Sequence, residues 1–113
     1  MAKYKGIVVE ESLEDNRALN GLEVIGLRIT GQQNPLERWH LYTVMVTDAE
    51  IEKLAAGIKP AWYMHFWQDR NVLAVFKDQR FSFNYDDKNT WRPVVEYGQA
   101  VGIPESQLDF PID

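Results

Sequence analysis

No cysteine occurs among the 113 residues, and this removes disulfides, thiol nucleophiles and thiolate metal sites together. Histidine is nearly as scarce. His40 and His65 are the only two, and neither belongs to a His-x-x-x-His or Glu-x-x-His motif of the kind that gathers zinc ligands on a helix. Ser12, Ser82 and Ser106 lack the flanking glycines of a nucleophile elbow. The seven glycines are scattered, so no loop is built to cradle phosphate. From these absences we expect no metal site, no cofactor and no catalytic residue with a local signature. Paired carboxylates that meet only in space leave no such signature.

Two further absences bear on setting and partners. No apolar run reaches the length of a membrane span, and Met1–Gly6 has no signal-peptide core; a soluble, cytoplasmic protein is expected. Basic residues are in deficit, with a net charge of −5 and a pI near 5.0. The average field therefore repels a phosphate backbone, and nucleic acid is not an expected partner.

What the chain has is aromatic: four Trp, five Tyr and five Phe. Hydrophobic periodicity arranges them. Tyr4 to Glu10 reads as a strand. Leu22 to Thr30 reads as a second, with apolar residues on both parities and a bulge near Gly26. Trp39 to Val46 is a third, apolar at nearly every position, as in a strand covered on both faces. Ser12-Leu13-Glu14-Asp15 has capping-box spacing for a short helix ending at Asn20-Gly21, an acidic loop being the alternative. Thr47 and Glu50 form a second box, followed by an apolar stripe of Ile51, Leu54, Ala55 and Ile58. Another helix is expected over 91–101, capped by Thr90 and stopped at Gly102. Leu108, Phe110 and Ile112 alternate along a tail expected to lie extended on the body.

Residues 61–85 switch to a period of two and predict a three-stranded meander with turns at Asp69-Arg70 and Asp78-Gln79. Those turns place Trp67 opposite Val72 and Phe76 opposite Phe81. One face then carries Tyr63, His65, Trp67, Val72, Ala74, Phe76, Phe81, Phe83 and Tyr85, which reads as core. His65 belongs there as a neutral, hydrogen-bonded imidazole. The other face carries Trp62, Met64, Phe66, Leu73 and Val75, grading into Lys77 and Arg80. That greasy patch requires cover, either from the chain itself, including the 47–58 helix, or from a partner. In the same register Trp62, Lys77 and Arg80 fall in one row, where an indole beside two cations would suit a planar or anionic small molecule.

The resulting expectation is a single α+β domain over 1–113, a mainly antiparallel sheet of five to six strands with helices at about 48–58 and 91–101. No sequence feature names its activity. The leading expectation is a non-catalytic interaction domain that self-associates as a homodimer or binds a protein through Trp62, Met64, Phe66, Leu73, Val75, Lys77 and Arg80. The alternative is a small-molecule binder or minor enzyme with an aromatic pocket near Trp62 and His65.

Overall fold

Thr47 opens the element most strongly encoded in the sequence. In the computed structural model, which describes residues 3–113, Glu50 N donates to Thr47 Oγ1 at 3.3 Å and Thr47 N donates to Glu50 Oε1 at 2.9 Å. The capping box thus satisfies two orphan amides at once. The helix that follows, α1 (Asp48–Ala56), ends at Gly57. It buries Ile51 and Leu54, with Ile58 just beyond, and leaves its charged residues outside.

Among the described residues six strands form one antiparallel sheet: β1 (Tyr4–Val9), β2 (Glu23–Ile29), β3 (His40–Val46), β4 (Tyr63–Gln68), β5 (Asn71–Phe76) and β6 (Gln79–Asn84). Their order across the sheet is β2-β3-β1-β4-β5-β6. The arrangement is α+β, with strand number and helix positions as expected. The amino-terminal strand occupies the centre, between β3 and β4, while β2 and β6 are the edges. The expected bulge lies between Val24 and Gly26, where Ile25 is the extra residue.

The two helices pack on opposite faces. On one face α1 covers Val8, Val44, Val46, Met64, Phe66 and Val75. On the other, α2 (Arg92–Ala100) and the tail cover Trp67, Val72, Ala74, Phe76 and Phe83. Phe110, fully buried, lies 5.0 Å from Tyr63, 5.1 Å from Phe83 and 5.5 Å from Trp91, ring centre to ring centre. The tail is tied down at its end by Asp113, which accepts hydrogen bonds from Lys5 Nζ and Trp67 Nε1.

Three local expectations are corrected. Residues 10–19 form two 3-10 turns, Glu10–Ser12 and Asn16–Leu19, and Ser12 Oγ donates to Val9 O at 2.6 Å instead of capping a helix. Thr90 does not cap α2. Its Oγ1 accepts from Asn84 N at 3.0 Å, fastening the preceding turn to β6, and the Lys88–Trp91 3-10 turn leads into the helix. The second meander turn is shifted. Asp78 adopts a left-handed backbone (φ 67), closing the hairpin at Lys77-Asp78, so Phe76 opposes Gln79 and Ala74 opposes Phe81. A slip of two residues preserves which side chains share a face, and the aromatic core face survives intact. The row of Trp62, Lys77 and Arg80 does not form, because Arg80 now opposes Val75 and pairs with Glu52 of α1.

Gly6 on β1 allows the closest approach in the sheet. A Cβ there would stand 2.2 Å from Phe66 Cδ1 and 2.9 Å from the His65 carbonyl oxygen. Since Phe66 is fully buried, its ring has nowhere to retreat. Gly6→Ala is expected to destabilise the protein by about 1–3 kcal/mol, read as a lower denaturation midpoint in urea; an unchanged midpoint would refute this packing.

Candidate functional site

The acidic residues near the amino terminus are used structurally. Glu10 Oε1 accepts from Tyr42 OH at 3.0 Å, and Asp15 clasps Arg17. Glu11 receives His40 N at 2.8 Å and faces His40 Nδ1 at 2.7 Å, pinning the start of β3. No group of three or more His, Asp or Glu side chains converges on a common point among the described residues.

The residues expected to form a partner face are dispersed. Met64, Phe66 and Val75 are at most 1% exposed, roofed by α1. For these three the cover is the chain's own 47–58 helix, one of the two kinds of cover expected, and not a partner. Leu73 and Trp62 lie at the margin of that core, half-buried. Trp62 meets Trp39 edge-on with ring centres 5.1 Å apart. Lys77 sits at the meander turn, and Arg80 is held by Glu52.

The open apolar surface lies elsewhere, at β2. Val24, Ile25, Leu27 and Ile29 are each 43–54% exposed, and Leu36, in the loop joining β2 to β3, is 93% exposed. That loop is organised by Arg38, which donates to the Gln32 and Gln33 carbonyls, and by Thr30, which exchanges hydrogen bonds with Trp39 N and O. β2 pairs only with β3, so the peptide groups on its outer side have no strand partner among the described residues. An unprotected strand edge of this kind templates the addition of another strand. The opposite edge contrasts with it: β6 presents Gln79, Arg80, Ser82 and Asn84. Sequence reasoning missed β2 as the surface, although the apolar residues on both of its parities were visible. Strand order, which places it at the edge, was not.

Beside β2 the α2 face is only partly roofed. A groove of about 220 Å³ runs between the tail and β1–β3, lined by Ile7, Leu41, Arg28, Trp39, Trp62 and His65 among others. His65 Nε2 lies 2.7 Å from Pro111 O. A carbonyl only accepts, so this nitrogen carries the proton and donates, which leaves Nδ1 as a bare acceptor. Nδ1 has no partner among the described residues and is not sealed from solvent. Arg28 forms no ion pair among the described residues.

The two imidazoles are shifted in opposite directions. Burial pushes His65 from the ordinary 6.5 down to about 4, against the opposing pulls of the Pro111 carbonyl and the Asp109 charge. The hydrogen bond to Glu11 raises His40 above 6.5. Burial raises the Glu11 carboxyl, but the His40 hydrogen bonds outweigh it and the net shift is downward.

No family model, curated protein or solved structure matches the chain.

A depressed histidine favours the folded state while it stays neutral. Its contribution is present above the unfolded value of 6.5 and is lost as pH falls from there towards about 4. The contribution of His40, whose value is raised, is present below 6.5 and fades as pH rises through its folded value. Proton NMR titration is expected to give His40 a midpoint above 6.5 and His65 no charge until near pH 4. Coincident midpoints at 6.5 would contradict both environments.

Proposed function

We propose that this chain is a non-catalytic interaction domain, cytoplasmic in setting, which docks a protein by strand addition along β2. One observation carries the reading. The outer side of β2 has no strand partner among the described residues and is flanked by half-exposed aliphatic side chains, Val24, Leu27 and Ile29 on the α1 face and Ile25 at the bulge. Isolated apolar side chains on a surface mean little, but an apolar strand edge is a site that proteins ordinarily blunt or cover. The polar composition of β6 shows how this fold treats an edge that is left in water.

A smaller observation favours a second reading, that of a small-molecule binder. The groove beside Trp39 and Trp62 offers a guanidinium, from Arg28, with no ion pair among the described residues, a carboxylate, from Asp109, and one bare acceptor, His65 Nδ1. A flat aromatic acid carrying an N–H donor matches those groups. If it is the occupant, indole carboxylic acids raise the melting temperature of the parent and fail to do so for Arg28→Ala; equal shifts for both proteins, or none for either, discard the reading.

The docking reading is tested at Leu27, on the face opposite Arg28. Leu27→Lys puts a charge into the apolar strip without touching the core. The parent is expected to show a mass above 13.1 kDa by light scattering at high concentration and to bind a hydrophobic dye when dilute. The variant is expected to lose both properties while keeping its melting temperature within a few degrees. A parent that stays monomeric and binds no dye would end this assignment.

A further inference from the structure

β2 is complementary to itself. Gly26 shares a face with Thr43, and Leu27, Arg28 and Ile29 alternate from there, while on the other side of the bulge Val24 opposes Val44 and Glu23 opposes Met45. Following the pairings across β3 and β1, Glu23, Gly26 and Arg28 lie on the α2 face, whereas Val24, Leu27 and Ile29 lie on the α1 face. The bulge changes the parity of the strand halfway along, and this restricts how a second β2 can lie beside it, because directly opposed residues must share a face.

A two-fold axis passing between Ile25 and Gly26 meets that requirement on both flanks. In the antiparallel pair it generates, Glu23 of each copy stands opposite Arg28 of the other, and Val24 stands opposite Leu27. Moving the axis by half a residue in either direction sets charged positions against aliphatic ones on the wrong face. At the axis itself Ile25 lies opposite Gly26, and the missing side chain of the glycine leaves room for the isoleucine. Both charges are available. Arg28 has no carboxylate partner among the described residues, and Glu23 contacts Lys3 through one oxygen at 2.9 Å, leaving the other free. Resting on the docking reading above, we infer that the occupant of the β2 edge is a second copy of this chain, paired antiparallel in the Glu23–Arg28 register so that two six-stranded sheets become one continuous sheet.

Closed two-fold symmetry also accounts for how an exposed apolar edge is kept from open-ended aggregation. An isologous contact uses the same strip on both copies and consumes the edge, and the polar β6 edges are left at the two ends. The two aliphatic rows and two charge pairs lie on opposite faces of the joined sheet, so apolar contact holds one side and opposite charge fixes register on the other.

Charge reversal tests the register separately from the docking reading. Glu23→Arg and Arg28→Glu each set like charges against each other twice per dimer. Each is expected to weaken self-association by roughly tenfold or more, with circular dichroism and melting temperature close to the parent. Mixing the two variants is expected to restore association as a one-to-one heterodimer, seen by native mass spectrometry with one copy isotope-labelled, because both pairs are then complementary. The double variant Glu23→Arg/Arg28→Glu is expected to dimerise by itself. If Leu27→Lys abolishes association while both charge reversals leave it unchanged, the edge docks in another register and this inference is overturned with the docking reading intact. If the parent remains monomeric at its solubility limit, the second copy is excluded as occupant.

Discussion

Everything exposed in this structure follows from a shortage of cover. Six strands at a spacing of roughly 4.8 Å make a sheet about 24 Å across, whereas a helix with its side chains is only about 10–12 Å wide. Among the described residues there are two α-helices, and they lie on opposite faces. Each therefore roofs only part of the sheet, over the middle strands on one side and over β4 to β6 on the other. The 3-10 turns and the tail extend the cover by a strand or so. β2, furthest from both helices, keeps its aliphatic side chains in water.

The tail shows how the α2 face is closed without a further helix. Phe110 is anchored among three aromatic rings, and it holds a left-handed backbone conformation (φ 42) that a bulky residue adopts only when packing enforces it. The same segment shapes the groove. Pro111 fixes the tautomer of His65, which leaves the other ring nitrogen as an acceptor in a buried residue lining the groove. The tail thus contributes both cover and polarity.

What could be read in the sequence divides by distance along the chain. The Thr47 box was legible because both of its halves lie within four residues. The aromatic core face of the meander was legible because a two-residue slip leaves parity unchanged, whereas the Trp62–Lys77–Arg80 row depended on register and was lost with it. Ser12 and Thr90 have the right residue types for capping, yet their hydroxyls bond backward along the chain, to Val9 and to Asn84, where a hydroxyl serves a turn as readily as a helix start. The site was least legible of all. The bulge near Gly26 was anticipated from the two parities of Leu22 to Thr30, but exposure of that segment depends on β1 inserting between β3 and β4. Nothing within nine residues encodes such an insertion.

That central placement of β1 has a kinetic consequence. On the ribosome Tyr4–Val9 emerges well ahead of its neighbours, for it pairs with Leu41–Val46 on one side and His65–Trp67 on the other. The nascent chain therefore carries Ile7-Val8-Val9 without a ladder partner until the β2–β3 hairpin has left the exit tunnel. The contact between Lys5 and Asp113 spans 108 positions and closes later still. Non-local contacts of this kind slow folding and lengthen the interval in which an aliphatic strand is open to mispairing. Until then the exposed edges of that aliphatic strand are open to any unpaired strand they meet.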